Sequence, residues 1–252
     1  MRPVLFDLAG LEVQSYGVSK ALAALVAGWL IYRELGRRGR DPELAYSLTL
    51  WGVVAGFAGA KLLYLAENAG SLMAHDFGGS GFTWYGGLIG GAVAMLVIAH
   101  RHGLPARLLA GIVSAPLAFA YGTGRLGCLL AGDGTYGKPS DLPWAMSFPH
   151  GVVPTDQRVQ PTPLYEALVA FALGAVLWRV RDRISPTAQF ATFVVVMGVM
   201  RFLVEFARIN PTLAAGLSQP QLWSLALAVL GVALVLRDNS TAARSALRGG
   251  TR

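Results

Sequence analysis

Charge is scarce in this sequence: only 14% of its 252 residues are Asp, Glu, Lys or Arg, against about 25% in a soluble domain. With 54% hydrophobic residues and a mean hydropathy of +0.50, that shortage excludes an ordinary water-soluble domain and points to a polytopic membrane protein. Cysteine is scarcer still. Cys128 stands alone, so no internal disulfide can form, and it reads as a small buried residue. The four histidines, His75, His100, His102 and His150, form no His-Glu-x-x-His pattern, so neither a metal nor a cofactor is expected. No Gly-Lys-Ser/Thr follows the glycine runs, which excludes a nucleotide P-loop. The opening "MRPVLFDLAG" lacks the basic region, short apolar stretch and small-residue cleavage site of a secretory signal, so the first apolar segment is expected to stay in the protein.

What is present is a succession of apolar runs, at 16–35, 45–66, 82–99, 106–122, 163–178, 187–206 and 217–236. At about 20 residues per membrane crossing, seven such runs leave no room for a separate soluble domain. The expected fold class is all-α: a polytopic membrane protein of about seven transmembrane helices, one integral domain over 1–252, with an outer-side (periplasmic) loop region at about 124–162. The last helices are apolar all round, so periodicity does not say which face meets lipid.

Basic residues give the orientation. Arg33, Arg37, Arg38 and Arg40 follow the first run, Arg101 and Arg107 the third, Arg179, Arg181 and Arg183 the fifth, and Arg237, Arg244, Arg248 and Arg252 the seventh, whereas 67–81 contains no Lys or Arg. The positive-inside rule then puts the amino terminus outside and the carboxy terminus in the cytoplasm. The net charge of +7 is mostly this topology signal. Nucleic acid is not an expected partner, because the arginines are spread over four connections with no aromatic-laced patch. The lipid bilayer is. In the outer loop, "KPSDLPWAMSFPHG" carries Trp144 and Phe148, aromatics suited to the membrane interface.

Lys61, Arg125, Glu166, Arg201 and Glu205 fall at membrane depth, with Tyr16 and Tyr85 beside them. Each charge there costs about 2.5–3.5 kcal/mol even on the lenient insertion scale, so each needs a partner or a purpose. Arg201 and Glu205, four apart in "RFLVEF", share a helix face and can pair. Lys61 can instead snorkel. In "WYGGLIGG", Gly86 with Gly90 and Gly87 with Gly91 form two small-xxx-small pairs that permit close helix approach. The glycines of "GRLGCLLAGDGTYG" (124–137) are expected to bend the backbone and aim Arg125 into a polar cavity, with Asp133 either orienting that arginine or helping the loop turn.

In this order the pieces resemble the prolipoprotein diacylglyceryl transferase family. "VQSYGV" resembles its opening Tyr-Gly motif, "GAKLLY" its Gly-Ala-Arg motif and "WYGGLIGG" its His-Gly-Gly-Leu-Ile-Gly motif. "GRLGCLLAGDGTYG" resembles the Gly-Arg-Leu-Gly-Asn signature, "PTPLYE" the His-Pro-Ser-Gln-Leu-Tyr-Glu segment, "RFLVEFAR" the Arg-Phe-x-x-Glu-Phe-x-Arg segment and "LSQPQLWSL" the Gly-Gln-x-x-Ser motif. Six positions depart from the family pattern: Tyr85 stands for His, Cys128 for Asn, Asp133 for Glu, Lys61 for Arg, Gln160 for His and Met197 for Tyr.

The resemblance implies transfer of the diacylglyceryl group of phosphatidylglycerol to the lipobox cysteine of a prelipoprotein, with a thioether formed and glycerol phosphate released. It implies a multi-pass protein of the bacterial cytoplasmic (inner) membrane, with phosphatidylglycerol and the prelipoprotein signal peptide as partners. Arginine suits the leaving phosphate because it stays charged and binds oxygens bidentately, and the thiol must become a thiolate to attack. The catalytic residues implied are Arg125, Arg201, Tyr85 and Glu205. The substrate-binding residues are Tyr16, Lys61, Gly86, Gly87, Cys128, Asp133, Tyr165, Glu166 and Gln221. Tyr85 takes the place of the base, with Asp133 and Glu205 as alternative proton acceptors; a tyrosine, with an ordinary pKa near 10, needs a nearby arginine for that task. Two other readings stay open: a diverged paralogue with another acceptor, and a non-catalytic protein that binds or transports anionic lipid.

Overall fold

The computed structural model describes residues 2–8, 11–70, 73–78, 81–214 and 216–249. Among the described residues there are seven α-helices: α1 (Ser15–Arg37), α2 (Leu44–Glu67), α3 (Trp84–Arg101), α4 (Ala106–Ala131), α5 (Thr162–Val180), α6 (Pro186–Glu205) and α7 (Gln219–Gly249). All except α3 are long and apolar enough to cross a membrane. The 18 residues of α3 span ~27 Å at 1.5 Å per residue, close to the hydrocarbon thickness of about 30 Å. The described residues also form three antiparallel strand pairs: β1 (Val4–Leu8) with β2 (Leu11–Gln14), β3 (Met146–Phe148) with β4 (Thr155–Val159), and β5 (Thr212–Ala214) with β6 (Leu217–Ser218). Of the residues weighed in the sequence, Arg252 lies outside the described residues, as do the side chains of His75, Arg244 and Arg248.

Local chemistry sets the helix ends. Gly39 and Gly103 adopt φ of 65° and 64° just past α1 and α3, where paired bonds (Gly39 N to Gly36 O and Arg40 N to Leu35 O; Gly103 N to His100 O and Leu104 N to Ala99 O) cap the orphaned carbonyls. Ser185 caps α6, its Oγ accepting from Ala188 N at 3.0 Å, with Pro186 as the first helical residue.

One expectation needs correcting. The run 106–122 continues as helix to Ala131, so the residues 124–131 are not loop, and the irregular connection begins at Gly132, whose φ of 60° ends the helix. Gly124 and Gly127 lie within this continuous helix. A Cβ on Gly127 would overlap the Ser19 side chain, and one on Gly124 would lie 3.2 Å from Lys20 Nζ. These glycines make room for the start of α1. Their weak helix propensity, about 1 kcal/mol each, is overridden by packing.

The chain divides into two compact units, Ala27–Ile112 and Met1–Val26 with Val113–Arg252. In the first, α2 and α3 meet through backbone. Cβ atoms on Gly59, Gly86 or Gly90 would overlap a carbonyl of the facing helix, and those on Gly87 and Gly91 would come within 3.3 Å and 3.1 Å of Gly56 O and Gly52 O. The small-residue pairs of "WYGGLIGG" thus find their complement in Gly52, Gly56 and Gly59. In the second unit, Ala115 and Ala118 of α4 pack on Leu173 and Leu177 of α5, with Met197 of α6 against them. There α6 approaches α7 closely at Gly198 and Gly231.

Candidate functional site

The larger unit holds a buried ionic cluster where the C-terminal ends of α4 and α6 meet the N-terminal end of α5. Tyr121, Arg125 and Cys128 share one face of α4, at helical spacings of four and three. Glu166 projects from the first turns of α5 and is fully buried, while Arg201 and Glu205 occupy the last turn and a half of α6. Arg125 Nε lies 2.6 Å from Glu166 Oε2, and Arg201 Nη1 lies 2.7 Å from Glu166 Oε1. Arg201 Nη2 reaches Glu205 Oε2 at 2.7 Å, as the i,i+4 spacing anticipates. Glu166 therefore bridges two guanidinium groups from two other helices. A carboxylate taken wholly out of water costs several kcal/mol unless paired, and this geometry supplies two partners.

The connection after α6 closes the cluster. Glu205 Oε1 accepts from Ser218 Oγ at 3.0 Å and from Asn210 Nδ2. Arg208 Nε stands 3.9 Å from Glu205 Oε2, and its Nη1 is buried without a hydrogen-bond partner among the described residues. Burial, with the like charge of Arg201 nearby, lowers the Arg208 pKa from its ordinary value. Gln221 braces the same corner, its Oε1 accepting from Ser218 N at 2.9 Å and its Nε2 donating to Phe202 O at 3.4 Å.

Charge and exposure together decide what this cluster can do. Three guanidinium groups face two carboxylates, so one positive charge is in excess. Arg125 and Arg201 keep 18% and 21% of their side-chain surface exposed while Glu166 keeps 0% and Glu205 1%. An approaching ligand meets guanidinium and not carboxylate. The arrangement is suited to a phosphate-sized anion, held by donors already fixed in place. Arg125 is fixed further by Tyr121, whose hydroxyl accepts from Nη2 at 2.9 Å and whose ring lies 5.0 Å from the guanidinium carbon.

Three more of the expected residues adjoin Arg125. Cys128 is close to the Asp133 side chain, whose carboxylate accepts from Thr135 N at 3.2 Å and Thr135 Oγ1 at 2.6 Å. Asp133 thus forms the turn that follows α4. Tyr16, 42% exposed, lies within electrostatic reach of Arg125, Cys128 and Asp133, and Lys20 Nζ sits 4.8 Å from the centre of its ring. Tyr165 stands further out, accepting from Trp144 Nε1 at 2.7 Å.

The remaining candidates belong to the unit Ala27–Ile112. Lys61 donates from Nζ to Gly78 O at 2.9 Å and lies 5.0 Å from the Phe82 ring centre, a tether to the α2–α3 connection where snorkelling was an option. Tyr85 packs edge-on against Trp84 at 5.3 Å. Gly86 and Gly87 have their Cα faces against α2 backbone, so no substrate sits on those faces. The sequence reading missed Tyr121, Arg208, Asn210 and Ser218. For two of them a signal existed: Tyr121 is four residues before Arg125, and Arg208 is three after Glu205.

Comparison with known proteins agrees with this geometry. The family described as Prolipoprotein diacylglyceryl transferase matches residues 3–237. A protein of Clostridium tetani named phosphatidylglycerol–prolipoprotein diacylglyceryl transferase is 32% identical over 240 residues, covering 92% of this chain and 96% of its own. Like-named proteins of Clostridium perfringens and Bordetella avium are 31% and 32% identical, each covering at least 92% of both chains. With the match running almost end to end and the arginines of its motifs gathered on one buried carboxylate, the chain belongs to the prolipoprotein diacylglyceryl transferase family.

Proposed function

We propose that this protein transfers the diacylglyceryl group of phosphatidylglycerol to the lipobox cysteine thiol of a prelipoprotein, in the bacterial cytoplasmic membrane and within a single integral domain. The observation that carries the reading is the Arg125–Glu166–Arg201 bridge, with the cationic groups partly exposed and the anionic one fully buried. In the reaction the thiolate sulfur attacks the glyceryl carbon, the carbon–oxygen bond to phosphate breaks, and glycerol phosphate leaves with the electron pair. Arg125 and Arg201 bind the phosphate and stabilise the charge that grows on it. Glu166 and Glu205 hold the two guanidinium groups in place. Glu205, whose oxygens are taken by Arg201, Asn210 and Ser218, is a positioning group rather than a proton acceptor. Tyr85 is assigned the proton-accepting role from its motif position alone. Tyr16, Cys128 and Asp133 line the approach to Arg125. Lys61, Tyr165 and Gln221 support the frame.

The test is glycerol phosphate release by purified protein in detergent, supplied with phosphatidylglycerol and a lipobox peptide. Release that requires both substrates supports the transferase. Release without the thiol peptide would indicate a lipid hydrolase, and lipid binding with no release would indicate the anionic-lipid-binding alternative.

A further inference from the structure

Resting on the transferase reading above, we infer that Lys20 of α1 is a further catalytic residue, a cation that joins Arg125 on the phosphate as glycerol phosphate leaves the donor.

Lys20 is half-buried and lies where α1 and α4 touch. At Gly127 a Cβ would overlap the Ser19 side chain, and at Gly124 the space of a side chain is taken by Lys20 Nζ, 3.2 Å from where a Cβ would stand. The ammonium thus reaches across the helix contact to the face of α4. The Tyr16 ring holds it there, its centre 4.8 Å from Nζ. Among the described residues Lys20 makes no ion pair and no side-chain hydrogen bond. Asp133, the carboxylate close to Cys128, gives its Oδ1 to Thr135 instead. A ring face offsets only part of what a cation loses on leaving water, so this ammonium keeps its capacity for an anion from outside the chain.

Its place beside Arg125 selects that anion. Around α4, Cys128 falls about 40° from Gly124 and about 60° from Arg125, between the two. Lys20, resting on Gly124, and Arg125 therefore flank Cys128, which is within electrostatic reach of both. A phosphodiester offers two unesterified oxygens, one for each cation, whereas a thiolate is a single atom and suits donors set apart on two helices less well. The reaction favours the phosphate too. When sulfur displaces it, a singly charged diester becomes a doubly charged monoester, so an added cation stabilises the transition state more than the bound lipid. Arg125 is fixed by Glu166 and Tyr121. The ammonium, a point charge on a flexible stem, can follow the departing group.

The experiment uses purified protein in detergent, with free glycerol phosphate as the probe and glycerol as its uncharged control. Lys20→Met and Lys20→Gln remove the charge, and Lys20→Arg keeps it. Binding is titrated by calorimetry, and transfer is followed with phosphatidylglycerol and a lipobox peptide. Both neutral variants are expected to raise the Kd of glycerol phosphate and to lower kcat, each at least about tenfold. Melting temperature, peptide KM and the acid limb of the kcat/KM profile should stay as in wild type, and Lys20→Arg should recover most of the affinity. An unchanged Kd in the neutral variants would overturn the assignment, and with a lowered melting temperature it would make Lys20 a packing residue. A loss confined to peptide KM, or a displaced acid limb, would overturn it as well and give Lys20 to the acceptor thiolate. Failure of the transferase reading looks different: wild type would form no thioether, while glycerol phosphate binding would still depend on Lys20 and support its role as an anion ligand.

Discussion

Glu166 has no exposed surface, yet it touches two arginines from two different helices, and that makes its carboxylate the residue on which the site depends. Glu166→Gln removes the charge, keeps the shape and leaves two guanidinium groups without their shared counter-ion. Breaking a buried pair of this kind costs about 3–5 kcal/mol, so thermal unfolding in detergent is expected to fall well below that of wild type. Asp133→Asn, at a partly exposed turn whose bonds to Thr135 an amide oxygen can still accept, is expected to cost no more than about 1 kcal/mol. The arginines themselves are not interchangeable with lysine. Arg201 uses two nitrogens on two carboxylates, a fork that an ammonium cannot reproduce. Arg201→Lys is therefore expected to retain its charge and still lose about 10²–10³ in kcat, the loss typical of one preorganised donor, measured by steady-state transfer. At this scale the sequence was partly legible. The Arg201–Glu205 pair follows from a spacing of four within one helix. The Arg125–Glu166–Arg201 bridge joins three helices far apart in sequence, and no local pattern encodes it.

The elements were legible wherever hydrophobic runs were long. All seven runs are helices, displaced by a few residues at most ends, but the glycine-rich 124–131 segment, whose glycines suggest bent backbone, is helix. Glycine spacing carries two different messages here, close approach and chain reversal, and only a packing partner separates them. Gly124 and Gly127, three apart, face the start of α1, while Gly132 with its positive φ turns the chain. The amino-terminal hairpin was missed altogether, although "LEVQ" alternates apolar and polar residues as a half-exposed strand does. A pair of alanine substitutions tests the role of close approach. Gly86→Ala forces a Cβ into Gly59 O across the α2–α3 contact and is expected to destabilise the protein by about 1–3 kcal/mol. Gly17→Ala, in α1 with nothing within 4 Å of the new Cβ, is expected to be neutral or to stabilise by up to ~1 kcal/mol. Equal melting temperatures for the two variants would show that the helix pair tolerates separation.

For the molecule as a whole, the distribution of basic residues bears on function, because the orientation expected from it would bring the proposed donor and acceptor to the site from the outer side. The arginine-bearing connections are assigned to the cytoplasm and the β3–β4 region to the outside. Single cysteines at position 40, after α1, and at position 156, in β4, introduced in a Cys128→Ala background, test this with a membrane-impermeant maleimide on spheroplasts. Labelling at 156 and protection at 40 is the expected result, and the reverse pattern would invert the topology and the route of both substrates. The account as a whole rests on the guanidinium pair acting upon a phospholipid phosphate. Mass spectrometry of a lipobox peptide incubated with phosphatidylglycerol and the purified protein, beside Arg125→Ala, tests this most directly. A diacylglyceryl thioether on the peptide cysteine, reduced at least about 10²-fold in the variant, is the predicted result. No thioether from folded wild-type protein that still binds the lipid, or an undiminished yield from Arg125→Ala, would contradict it.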